Sequence, residues 1–121
     1  MEAAGKALVV DDDDALRSIV AEMLSALGYE VSAAENGVKA LRIFLGNKFD
    51  IVISDYEMPG MDGVALARRI KRSCPGTPVV LMTGAAKETV LSRKGAAVDG
   101  VLLKPFTLAE ICATIASLAY L

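Results

Sequence analysis

The sequence predicts a doubly wound α/β domain, a five-stranded parallel sheet with helices on both faces. Three observations lead there. Short continuous apolar runs such as Ala7-Leu8-Val9-Val10 and Ile51-Val52-Ile53 read as strands buried on both faces. Between them lie stretches whose apolar residues recur at helical spacing. The chain has 121 residues, 54% of them hydrophobic, which suffices for one core and not for two. Five strand–helix units in series give a mainly parallel sheet, and residues 1–121 are read as one domain.

The elements follow in order. The first strand, 7–10, runs straight into four aspartates. Residues 14–27 form a helix with Leu16, Val20, Met23, Leu24 and Leu27 on one side and Gly28 as its stop. The second strand is 29–33. Asn36 can cap a helix whose apolar stripe is Val38, Leu41, Phe44 and Leu45. The third strand, 51–53, opens into the turn-rich stretch Met58-Pro59-Gly60-Met61-Asp62-Gly63. A helix through Leu66, Ala67 and Ile70 stops near Ser73-Cys74-Pro75-Gly76. The fourth strand is 79–82, a weaker polar helix spans 87–94, and the fifth strand is 101–103. Thr107-Leu108-Ala109-Glu110 fits a capping box and starts the last helix. Its stripe is Leu108, Ile111, Cys112, Ile115, Leu118 and Ala119.

Composition removes several classes of function. With 13 basic and 15 acidic side chains the net charge is −2, so no broad basic field attracts nucleic acid or an anionic membrane. Histidine is absent, which excludes imidazole bases, histidine metal ligands and a phosphohistidine on this chain. Cys74 and Cys112 form neither a disulfide framework nor a C-x-x-C site, and Cys112 reads as a buried packing residue. Neither a signal peptide nor a membrane span is visible, so a reduced, cytoplasmic setting is expected. Arg68, Arg69, Lys71 and Arg72 read as a solvated basic helix face rather than a nucleic-acid contact.

In doubly wound sheets ligands bind outside the carboxyl ends of the strands. There the first strand ends in Asp11 and Asp12, the third in Asp55, the fourth in Thr83 and the fifth in Lys104-Pro105-Phe106. The second ends in Ala33-Ala34, which brings no chemistry. Three carboxylates at one rim repel and call for a proton or a cation, and oxygen ligands suit Mg²⁺. Such a rim also suits an aspartate as nucleophile toward phosphorus, with a hydroxyl and a lysine on the phosphoryl oxygens. No phosphate-binding P-loop is present. Asp13 and Asp14 read more simply as helix-capping acids. An EF-hand starting at Asp11 fails because Leu16 occupies its glycine position.

Val9-Val10-Asp11-Asp12, Ser54-Asp55-Tyr56-Glu57-Met58-Pro59-Gly60-Met61-Asp62-Gly63, Met82-Thr83-Gly84 and Leu103-Lys104-Pro105-Phe106 resemble, in order, the receiver domain of two-component response regulators. The resemblance covers essentially the whole chain. It implies a flavodoxin-like sheet of order 2-1-3-4-5. It further implies that Asp55 is the phosphoacceptor, served by a phosphohistidine on a partner sensor kinase or phosphotransfer protein. Asp12 and Asp55 would bind Mg²⁺ through side chains, Glu57 through its backbone carbonyl, and Asp11 would assist through water. Thr83, Gly84 and Lys104 would bind the phosphoryl group and carry the switch, and Lys104-Pro105 would be cis.

Two departures stand out. Many receivers place an aromatic residue two positions before Leu103; Val101 stands there, which bears on aromatic gating. The last helix carries one charged side chain, Glu110, between 107 and 121. Its Ala109, Ala113, Ala116 and Tyr120 would leave an apolar outer face for a partner or a homodimer. A rival reading is a haloacid-dehalogenase-type phosphatase with Asp11 as nucleophile in Asp11-Asp12-Asp13. It lacks a later acidic pair, with only Asp99 in that region, and leaves Asp55 and Met58-Pro59 without a role.

Overall fold

The computed structural model describes residues 5–84, 92 and 95–118. Their elements are β1 (Gly5–Val10), α1 (Asp14–Ala26), β2 (Tyr29–Ala34), α2 (Gly37–Leu45), β3 (Ile51–Asp55), α3 (Gly63–Ser73), β4 (Val79–Thr83), β5 (Gly100–Leu103) and α4 (Leu108–Leu118), with a short 3₁₀ turn at Gly95–Ala97. The helix expected at 87–94 lies outside the described residues, apart from Ser92, as do Ala119 and Tyr120.

All strand pairs are parallel and the order is β2-β1-β3-β4-β5, the class and order expected. The continuous apolar runs exist because each central strand is covered twice. Leu8, Val10, Val52 and Leu81 face the side closed by Ala40, Phe44, Val64, Leu66 and Ile70 of α2 and α3. Ala7, Val9, Ile53, Val80 and Met82 face the side closed by Val20, Leu24 and Ile111 of α1 and α4. Consecutive strand residues thus feed opposite cores, and burial of the larger side chains contributes roughly 1.5–3 kcal/mol each.

Local signals set the helix starts. Asp13 Oδ1 accepts from Leu16 N (3.0 Å), Asn36 Oδ1 from Lys39 N (2.8 Å) and Asp62 Oδ1 from Ala65 N (2.9 Å). The capping box is present: Glu110 N donates to Thr107 Oγ1 (3.1 Å) and Thr107 N to Glu110 Oε1 (3.2 Å). Gly28 turns the chain from α1 into β2 at φ 98°, where a side chain would be strained.

Three sequence expectations need correction. In α2 the core takes Gly37, Ala40 and Phe44, while Val38 and Leu45 are 57% and 65% exposed. These two sit one residue, about 100°, further round the helix than Gly37 and Phe44. In α4 only Ile111 is fully buried, and Cys112 is exposed. Leu108 shares that outer face and is also exposed. The basic run on α3 is not uniformly solvated: Lys71 turns inward, its Nζ 2.7 Å from both Asp99 Oδ2 and the Thr77 carbonyl. Among the described residues no helix is long and apolar enough to cross a membrane.

Candidate functional site

The chain leaves β1 to one side, toward β2, and returns to the other side, toward β3, β4 and β5. The crevice this reversal leaves lies between the carboxyl ends of β1 and β3. Asp11 and Asp12 follow β1 directly and Asp55 closes β3, so two adjacent strands bring three carboxylates to one point. One oxygen from each of Asp11, Asp12 and Asp55 lies within 4.8 Å of the others.

The three are not equivalent. Asp11 is completely buried, Asp55 is 7% exposed, and Asp12 faces solvent. Asp11 Oδ1 accepts from the Asp13 amide at 2.9 Å, whereas its buried Oδ2 has no hydrogen-bond partner. Burial pushes the Asp11 carboxyl above its usual range. The charges of Asp55 and Asp12 add to this, while the Asp13 amide and Lys104 oppose it. An orphaned carboxylate oxygen facing an all-oxygen donor set fits a hard divalent cation such as Mg²⁺.

Among the described residues, Lys104 brings an ammonium group to this cluster. Its backbone N donates to the Thr83 carbonyl at 2.8 Å, which continues the β4–β5 pairing past Leu103. From there its Nζ reaches to 2.9 Å from Asp55 Oδ1 and 3.8 Å from Asp11 Oδ2. The Lys104–Pro105 peptide is cis. Thr83 is almost fully buried at the end of β4, and Gly84 follows it at the surface.

The loop after β3 is held by backbone bonds. Tyr56 N donates to the Met82 carbonyl (2.8 Å), and Gly63 N donates to the Tyr56 carbonyl (2.9 Å). Gly63 packs so closely that an added Cβ would overlap the Asp55 carbonyl oxygen and lie 3.1 Å from Tyr56 Cα. The Glu57 side chain is exposed and stands outside the carboxylate cluster. Val101 is half-buried and packs toward the core under α2 and α3, leaving no aromatic ring at that position of β5.

One neighbour of the site was missed. Arg17 Nη1 donates to the Asp11 carbonyl (2.8 Å) and Nη2 to Asp14 Oδ1 (2.6 Å), bracing the acidic turn. The available signal was a lone arginine three residues after a run of four aspartates.

Residues 7–116 match the response regulator receiver domain. The chain belongs to that family. Receiver domains are signalling domains rather than turnover enzymes. This one is 38% identical over 101 residues to the autoinducer 1 sensor kinase/phosphatase LuxN of Vibrio campbellii, covering 84% of the chain and 12% of LuxN. It is 37% identical over 114 residues to the response regulator MprA of a Mycobacterium species, covering 92% of the chain and 49% of MprA. The chain thus spans half or less of the length of these curated relatives. Among solved structures it resembles Vibrio cholerae chemotaxis protein CheY4, at TM-score 0.86 and 30% identity over 98% of the chain and 99% of CheY4. Thermotoga maritima TrrA, solved in complex with Mg²⁺ and BeF, gives TM-score 0.86 and 32% identity over the same shares. The receiver family leaves the phosphatase reading of Asp11 without support.

Proposed function

We propose that this receiver accepts a phosphoryl group on Asp55 from a phosphohistidine of a partner sensor kinase or phosphotransfer protein. The reading rests on one arrangement: three carboxylates with oxygens inside 4.8 Å of one another, and the Lys104 ammonium 2.9 Å from Asp55. Asp55 is the acceptor because it combines slight exposure with the lysine contact, whereas Asp11 is sealed and bonded to the Asp13 amide. An Asp55 carboxylate oxygen attacks phosphorus and the donor's P–N bond breaks. The electron pair returns to the donor imidazole, which takes a proton from solvent.

Mg²⁺ would be held by Asp12 and Asp55 and the Glu57 carbonyl, with Asp11 behind them, and would supply charge neutralisation at the phosphoryl oxygens. Lys104 pairs with one phosphoryl oxygen and the Thr83 hydroxyl donates to another, beside the small Gly84. Movement of Thr83 then shifts the surface around β4 and β5. Val101 gives that movement no ring to carry, so the output passes through backbone and aliphatic packing. The exposed apolar side chains of α4 and β5, Leu103, Leu108, Ala109, Cys112, Ala113 and Ala116, offer the face for a downstream protein or a second copy. Residues 1–121 act as one receiver unit, in the cytoplasm.

The test is intact mass after incubation with acetyl phosphate, with and without Mg²⁺, followed by mapping of the modified residue. A single Mg²⁺-dependent adduct on Asp55 is the expected result. An adduct on another residue, or labelling undiminished in Asp55→Asn, sinks the assignment.

A further inference from the structure

We propose that the seam between α2 and α3 is a docking surface for an acidic amphipathic segment of a partner protein. It lies on the sheet face opposite α1 and α4, so it is separate from the apolar surface of α4 and independent of the chemistry at Asp55. Along α2, Val38, Leu41 and Leu45 follow helical i, i+3, i+7 spacing. Val38 and Leu45 are more than half exposed. Leu41 and Leu45 line a groove of about 210 Å³ whose other wall is Arg69, Arg72 and Ser73 of α3.

Charge selects the occupant. Arg42, Arg69 and Arg72 are exposed, and none forms an ion pair or hydrogen bond among the described residues. The neighbouring Lys71, by contrast, is committed to Asp99. Two of these guanidinium groups, Arg69 and Arg72, line the groove itself, and Arg42 follows Leu41 on α2, against the acidic balance of the chain, 15 acids to 13 bases. Guanidinium is suited to bidentate pairing with carboxylate. A helix carrying leucines along one stripe and carboxylates on its flanks satisfies both features. An anionic membrane fits less well: the surface is grooved, and lipid-reading patches usually carry about 4–8 basic residues.

The probe is a synthetic helical peptide about 18 residues long, with leucines at i, i+4, i+7 and glutamates on the flanks, beside a counterpart with lysines for glutamates. Titration into ¹⁵N-labelled protein should shift amides of α2 and α3 for the glutamate peptide only. Arg42→Glu/Arg69→Glu/Arg72→Glu should weaken that binding about tenfold or more and gain affinity for the lysine peptide. Leu45→Ser alone should weaken binding of the glutamate peptide without any gain in affinity for the lysine peptide. Equal affinity for both peptides, shifts confined to α4, or binding to phosphatidylserine vesicles in place of the peptide would each overturn the proposal.

Discussion

Lys104 Nζ stands 2.9 Å from Asp55 Oδ1, although β5 and β3 are separated in the sheet by β4. One side chain therefore links the edge strand to the acidic crevice. Replacing it should separate two events. Lys104→Ala should still take label from acetyl phosphate, while its partner affinity should no longer change on phosphorylation, as calorimetric titration can measure. Equal gains in partner affinity for wild type and variant would contradict the role given to this contact.

Asp11 yields a pH prediction with a definite sign. Burial, reinforced by Asp55 and Asp12, raises its pKa in the folded state relative to the unfolded chain. Its contribution to stability is therefore fully present below the ordinary carboxylate range and lost as pH rises through the raised value. Asp11→Asn carries no charge to desolvate and can still accept from the Asp13 amide. In chelator it should melt a few degrees above wild type at neutral pH, with the difference closing in acid. A lower melting point for the variant at neutral pH would count against this account.

Gly63 tests how tightly the β3–α3 loop is held against the site. Gly63→Ala drives a methyl against the Asp55 carbonyl oxygen and to 2.9 Å from Leu81 Cδ2. Overpacking of this kind costs about 1–3 kcal/mol. Because the strained atom belongs to Asp55 itself, labelling should slow about tenfold or more. Urea midpoints and the acetyl phosphate time course read the two effects separately. An unchanged rate with reduced stability would show that the backbone yields elsewhere.

A structural device far from the rim should affect stability alone. Asp99 Oδ2 accepts from Lys71 Nζ at 2.7 Å and from the Val79 amide at 2.8 Å. Asp99→Ala leaves a buried amide without this acceptor, at a cost of about 1–3 kcal/mol. Asp99→Asn keeps a carbonyl oxygen for Val79 and should lose less. Denaturant melts check the order, and labelling at Asp55 should be unchanged in both.

The sheet and its rim were legible because both rest on local signals. A strand covered on two faces must be largely apolar, so Ala7–Val10 and Ile51–Ile53 announce themselves, and the first acidic residue after each run, Asp11 or Asp55, lies at the rim. Helix faces were less legible. In α2 apolar residues occupy more of the circumference than the core can accept, and only packing decides that Phe44 goes in and Leu45 stays out. Cys112 lay on the stripe by spacing, yet the inner face of α4 passes through Ile111, one residue earlier. Lys71–Asp99 joins residues 28 apart in sequence, a distance over which no periodicity speaks. Arg17 escaped because its main bond goes to a backbone carbonyl, which every residue possesses.

The carboxylate crevice also links ligand binding to the folding equilibrium. Asp55 lies more than forty residues beyond Asp11 and Asp12 and joins them only through the β1–β3 register. The unfolded chain holds no such grouping, so a divalent ion that needs all three binds the native state alone. By mass action, ion at 100 times its dissociation constant should deepen the native basin by about 2.7 kcal/mol. The midpoint of thermal unfolding then becomes a titration curve for the crevice. Asp55→Asn should flatten that curve, and Asp99→Asn should lower its baseline while leaving its slope intact.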